Sequence, residues 1–215
     1  MSYSAVLFDL DGTLADTLQD IANAANHALE QLGQTRIEVE RFRYLAGQGL
    51  EYLMRHALSP DDQSLVPRGM ELFREYYSIH SEEHTAPYKG IPELLNQLTR
   101  RKVTIAILSN KPHDATQAVV SRIFDKWKFA AVVGARPHAP LKPDPATAIE
   151  IATKLAIPPS DWLYVGDTMV DMKTAVGAGM FPVGVLWGFR EESELRANGA
   201  RAIIVHPEEL LKLLN

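Results

Sequence analysis

A chain of 215 residues is long enough for one large domain, or for a core with a smaller unit inserted into it, and its 46% hydrophobic share is ordinary for a globular protein. The absence of cysteine excludes disulfides and thiolate metal sites, and a net charge of −5 without a basic block argues against a nucleic-acid surface. No apolar run reaches membrane-spanning length and the chain enters a strand by residue 5 with neither a basic start nor a cleavage signal, so a cytoplasmic protein without membrane contact is expected.

Ala5-Val6-Leu7-Phe8 reads as a short strand buried on both faces, as in a parallel sheet. Asp9, Leu10, Asp11 and Gly12 follow at once. At the carboxyl end of such a strand, Asp9 and Asp11 face one spot while Leu10 points away, at the rim where open α/β sheets bind ligands. Two like charges that close call for a counter-charge, and magnesium with oxygen ligands is the usual one. The plainer alternative is an Asp-Gly turn whose acids serve turn chemistry.

Asp16, with Gln19 in capping-box spacing, predicts a helix start. Leu18, Ile21, Ala22, Ala25, Leu29 and Leu32 then recur at helical intervals up to a stop at Gly33. A second helical stretch over about 38–58 is interrupted by Gly47-Gln48-Gly49, and a third covers roughly 61–83. No convincing strand occurs between about 16 and 83, so an all-helical insert is expected there. The glycines either end and restart a helix or let a loop approach a small ligand, with Gln48 and Arg55 as candidate contacts.

From Pro87 onward strands and helices alternate. Helices are predicted at 92–101, 112–124, 145–155 and 169–178, from Glu191 and from Pro207. The strands are 103–108, 129–133, 162–165, 182–186 and 202–205. Alternation implies right-handed crossovers and a mainly parallel, three-layer sheet to which the first strand must belong. The expected architecture is an α/β Rossmann-like core, residues 1–15 and 84–215, with a small all-helical cap, 16–83, inserted after the first strand.

Three further strand ends carry chemistry. Ser109-Asn110-Lys111 precedes a helix N-terminus, either an anion site or ordinary capping. Lys142 lies in Leu141-Lys142-Pro143-Asp144-Pro145, where prolines hold the backbone and place a helix start near 145; the alternative is an ordinary surface-loop lysine. Gly166-Asp167-Thr168-Met169-Val170-Asp171 puts Asp167 at a strand end and Asp171 one helical turn further, so both can face one point. Acids there also suit the positive end of a helix.

The string Phe-Asp-x-Asp-Gly-Thr-Leu with Ser109, Lys142 and the Gly-Asp-x-x-x-Asp of 166–171, in that order, resembles the haloacid dehalogenase-type phosphohydrolases. Ala46-Gly47-Gln48-Gly49-Leu50, Arg55-His56-Ala57-Leu58 and Trp187-Gly188-Phe189 are similar to the phosphoglycolate phosphatase subgroup, although Leu141 stands where that subgroup often has a second lysine. The resemblance implies a magnesium-dependent phosphatase acting on a small phosphorylated metabolite, 2-phosphoglycolate foremost, as a monomer or homodimer. Asp9 is then the nucleophile, Asp11 the general acid/base, and Ser109 and Lys142 the groups holding the phosphoryl oxygens. Magnesium is held by Asp9, the main-chain carbonyl of Asp11, Asp167 and Asp171, with the direct ligand of the last two left open. Thr13, Asn110, Lys111, Gly47, Gln48 and Arg55 are candidate substrate contacts. Asp11 argues against a dehalogenase, and the lack of lysine in 16–83 against a phosphonate hydrolase. A phosphomutase, a pyrophosphatase or nucleotidase, and a non-catalytic phospholigand-binding protein remain as alternatives.

Overall fold

In the computed structural model, which describes residues 3–214, β1 (Ala5–Phe8) is the middle of the molecule. All four of its side chains are buried, and it pairs in parallel with β4 (Thr104–Pro112) on one side and β6 (Trp162–Gly166) on the other. The full sheet also contains β5 (Ala131–Ala135), β7 (Phe181–Val185) and β8 (Ala202–Ile204), in the order β5-β4-β1-β6-β7-β8. Chain order reverses on either side of β1, and the crevice at such a reversal is where an open α/β sheet binds ligands.

The two-residue period of a strand sorts its side chains between two layers. Val6 and Phe8 join Ile105, Ile107, Leu163 and Val165 under α5 (Ile91–Arg100) and α6 (His113–Ile123). Ala5 and Leu7 join Ala106, Leu108, Trp162 and Tyr164 under α7 (Ala146–Lys154) and α8 (Met169–Ala178). The predicted three layers and mainly parallel sheet are therefore present. The ends differ in places: β4 runs on to Pro112, and its register against β5 shifts between Leu108 and Pro112. After α9 (Glu192–Ala197), the predicted last helix is only a short 3₁₀ turn, Pro207–Lys212.

The chain leaves β1 through β2 (Ala15–Asp16) and returns through β3 (Ala86–Pro87), which pair antiparallel. Between them lie α1 (Leu18–Gln31), α2 (Phe42–Leu45), α3 (Leu50–Ala57) and α4 (Val66–His80). Leu18, Ile21, Ala22, Ala25 and Leu29 form the predicted stripe of α1 and pack with Phe42, Leu53, Met54, Phe73 and Tyr77 in one cluster. The predicted capping box at Asp16 and Gln19 does not form. Asp16 enters the β2–β3 ribbon and makes only a long 3.4 Å contact to the Leu18 amide, while Gln19 bonds Asn23 instead. Buried Asp20 ties the two crossings together, accepting hydrogen bonds from the amides of His84 and Thr85 and the Thr85 hydroxyl.

Candidate active site

Four segments distant in number meet at the carboxyl ends of β1, β4 and β6. After β1 the chain turns tightly over Leu10, whose carbonyl accepts the amides of Leu14 and Ala15. Gly12 completes the turn at φ +84°. A side chain there would be strained, and its Cβ would lie 2.3 Å from Asp167 Oδ2, so glycine is required twice over. Leu10 is buried in the sheet layer as predicted, leaving Asp9 and Asp11 at the mouth.

Lys142 is buried and central. Its ammonium donates to Asp9 Oδ1 (2.7 Å), Asp171 Oδ1 (2.7 Å) and the Leu108 carbonyl (3.1 Å). Burial alone lowers the pKa of a lysine, but the two carboxylates more than reverse this and hold it cationic. Asn110 fixes the loop that carries it, accepting from the Lys142 amide (2.8 Å) and donating to the Lys142 carbonyl (2.9 Å). The same carboxamide also donates to Gly47 O (3.1 Å). Its hydrogen-bonding groups serve main chain, so the Asn110 side chain brackets the loop, while the residue, an expected substrate contact, also lines the cavity that opens over Asp9 and Asp11.

Asp167 and Asp171 are both fully buried. Asp171 accepts from the Thr168 amide and hydroxyl, closing a capping box at the start of α8. Asp167 accepts from Thr13 Oγ1 (3.2 Å) and the Phe189 amide (2.7 Å). Thr13, expected as a substrate contact, thus bonds Asp167 and does not line that cavity. Gly188 lies so close that a Cβ on it would sit 2.3 Å from Gly12 O and 2.4 Å from Asp167 Cβ.

Oxygens of Asp9, Asp167 and Asp171 lie within 4.8 Å of one another. Burial, then the Asp171 charge, raises the pKa of Asp9 well above the usual carboxylate range, and the same causes raise that of Asp167 to about 7. With all three carboxylates ionised, one ammonium would leave an excess of two negative charges in a site made of hard oxygen donors. A magnesium ion fits both the charge and the donor chemistry. The carboxylate of Asp11 is outside this cluster and meets Lys111 Nζ at 2.5 Å.

A cavity of about 510 Å³ opens over Asp9, Asp11, Ser109 and Lys111, roofed by Gly47, Leu50, Leu53, Phe73 and Tyr77. Ser109 is buried, and its Oγ accepts the Lys111 amide (3.1 Å). Of the residues expected in the helical segment, Gly47 and Gly49 line the cavity, whereas Gln48 and Arg55 do not. Arg55 lies around α3 from Leu50 and Leu53, exposed and ion-paired with Glu51 (2.7 Å), because a helix that turns its leucines inward must turn that position out. Tyr77, Thr168 and the Phe189 amide belong to the site and escaped the sequence reading. A tyrosine at helical spacing looks like core, and a main-chain amide leaves no residue signature.

The sequence profile of the haloacid dehalogenase-like hydrolases matches residues 6–185. A phosphoglycolate phosphatase from Nitrosospira multiformis is 32% identical over 215 residues, covering 98% of this chain and 95% of that protein. Another, from Pseudomonas putida, is 31% identical over 209 residues, covering 93% of this chain and 75% of its own length. A solved structure from Lactobacillus delbrueckii subsp. bulgaricus superposes with a TM-score of 0.93 at 31% identity, covering 100% of this chain and 99% of that one. This chain therefore belongs to the haloacid dehalogenase-like hydrolases and is a phosphatase of phosphoric monoesters.

Proposed function

We propose that the protein is a magnesium-dependent phosphatase of 2-phosphoglycolate working through an aspartyl-phosphate on Asp9, with residues 1–15 and 84–215 as catalytic core and 16–83 as cap. The observation that supports this most is the meeting of Asp9, Lys142, Asp167 and Asp171 beside a cavity that also reaches Asp11 and Ser109. The relatives named phosphoglycolate phosphatase, at about 30% identity over nearly the whole chain, support the substrate.

Asp9 attacks phosphorus through a carboxylate oxygen and the ester P–O bond breaks. Asp11, held by its contact with Lys111, protonates the leaving alkoxide. It then takes a proton from the water that cleaves the acyl phosphate and restores the Asp9 carboxylate. Ser109 and Lys142 hold the phosphoryl oxygens, so that charge developing on them meets fixed donors. Asp9, Asp167, Asp171 and the Asp11 carbonyl would hold magnesium, which when bound supplies Lewis-acid withdrawal of charge from the phosphoryl group. The helices roofing the cavity exclude water during the first step.

Asp9→Asn tests the nucleophile. Phosphate release from 2-phosphoglycolate in the presence of magnesium is expected to fall by several orders of magnitude, with the circular dichroism spectrum unchanged. Near-wild-type turnover would remove Asp9 from the role.

A further inference from the structure

We propose that Tyr77, on α4, is a specificity residue whose hydroxyl donates a hydrogen bond to the carboxylate of the substrate's organic part, and that the site thereby selects short carboxylate-bearing monoesters. The inference rests on the reading of the site as a phosphatase of such esters. Tyr77 is only 4% exposed, yet its hydroxyl has no hydrogen-bond partner among the described residues. Thr17 Oγ1 and the Tyr164 hydroxyl share that condition, but of the three only Tyr77 lines the cavity. Lys111 beside it can only donate, so the phenolic proton of Tyr77 has no acceptor among the described residues, and an unmet buried donor on a residue that lines a binding cavity is a group available to a ligand.

Packing does not account for the hydroxyl. The Tyr77 ring stacks on Phe73 at 5.2 Å between centroids and joins the apolar cluster of the helices, work that phenylalanine would do as well. Charge points the same way. Lys111 Nζ lies 5.0 Å from the Tyr77 ring centroid, so an ammonium and a phenol stand together beside Asp11. Leu50, Leu53 and Phe73 of the roof cannot donate, and the other donors at the rim, Arg74, Ser78 and Arg122, are exposed, with Arg122 paired to Glu82 (2.7 Å). The phosphoryl group has its own donors on the core side, Ser109 and Lys142, leaving the Tyr77–Lys111 corner for the other end of a short ester. Burial pushes the Tyr77 phenol up from its ordinary value, which keeps it a donor at any physiological pH.

The test compares 2-phosphoglycolate with ethyl phosphate, in which a methyl group replaces the carboxylate. Wild-type enzyme is expected to prefer 2-phosphoglycolate in kcat/KM. Tyr77→Phe, which keeps the ring and the fold, is expected to lower that value by about 10- to 100-fold, the range for a hydrogen bond to a charged group, and to leave ethyl phosphate within about twofold. Where the wild-type protein hydrolyses both esters, no preference between them, an equal loss on both, or no loss on either overturns the proposal. Calorimetric binding of 2-phosphoglycolate to Asp9→Asn, with and without Tyr77→Phe, reads recognition apart from turnover. A loss of affinity of about tenfold with the second substitution supports Tyr77 even if the wild-type protein proves unable to hydrolyse the ester, an outcome that would sink the functional reading alone. Equal affinity of the two variants, or no binding to either, counts against Tyr77 itself.

Discussion

Lys142 holds together a site that would otherwise repel itself. Its ammonium is shared between Asp9 and Asp171, both buried, where bulk solvent screens charges weakly. Breaking a buried pair by removing one partner leaves uncompensated charge, a loss of about 3–5 kcal/mol. Lys142→Met keeps the length and apolar stem of the side chain and removes only the charge. In magnesium-free buffer at pH 7.5 the variant should melt about 10 °C lower than wild type, given the usual ratio of stability to Tm for a chain of this size. The gap should narrow at pH 5, where Asp9, already raised by burial and by Asp171, takes up a proton more readily. A scanning-fluorimetry trace unmoved by the substitution at both pH values would show that Lys142 carries no such charge. Asp9, Ser109, Lys142 and Asp167 were legible in the sequence because each stands beside punctuation, a strand end, a glycine or a proline. The bond of Thr13 to Asp167 could not be read there, because the two stand 154 positions apart. The place of Arg55 outside the cavity was not legible either, because the motif that flagged it does not say which way α3 is rotated.

Between β7 and α9 the loop Trp187–Arg190 acts as a strap between the sheet and the helices above it. Trp187 Nε1 donates to the Thr13 carbonyl (2.9 Å), the Phe189 amide holds Asp167, and the Phe189 ring is buried in the cluster of α1–α4. Buried Arg190 donates to the carbonyls of Arg43, Tyr44 and Ala46 at the end of α2, where a helix leaves its last carbonyls unpaired. Arg43 answers by donating to Gly188 O (2.9 Å). One loop thus sets both the orientation of Asp167 and the seat of the segment leading to Gly47. Arg190→Ala should raise amide hydrogen exchange over residues 42–49 and lower kcat/KM by about tenfold, the equivalent of one lost charge-assisted bond, while exchange in β1 and β6 stays unchanged. Uniform exchange across 42–49 in both proteins would deny the strap. None of this was visible in the chain, since a guanidinium bound to carbonyls leaves no periodicity. Where periodicity exists it served well: the stripe on α1 and the span of α8 match the structure almost residue for residue. The single stretch expected over 38–58 divides at Gly47 and Gly49, both at positive φ, which no helix tolerates.

At the scale of the whole molecule, parallel topology is what makes the site possible. Parallel strands end on one edge, so β1, β4 and β6 bring Asp9, Ser109 and Asp167 together without any direct sequence link. The alternation of strands and helices made that much readable, although the β5-to-β8 order was not. Convergence also concentrates like charge, and this makes stability depend on pH. Asp167 titrates near 7 in the folded chain, mainly through burial and then through Asp171, against an ordinary 3.8 in the unfolded one. Between those values the folded state binds the extra proton, so ν_U − ν_N is negative and stability falls as pH rises from about 4 to 7, at up to about 1.4 kcal/mol per pH unit. Asp9, raised in the same direction, adds to that slope. Magnesium competes with these protons for the same oxygens, so its binding should strengthen over the same interval and release protons as it does so. Thermal melts of wild-type protein across pH 4.5–7.5 should therefore show two linked trends: without magnesium this pair pulls Tm down toward neutrality, and with millimolar magnesium Tm rises, by more at pH 7.5 than at pH 5. Asp167→Asn should flatten both trends. A magnesium shift that is the same at the two pH values, or that survives in Asp167→Asn undiminished, would place the ion away from the Asp9–Asp167–Asp171 cluster.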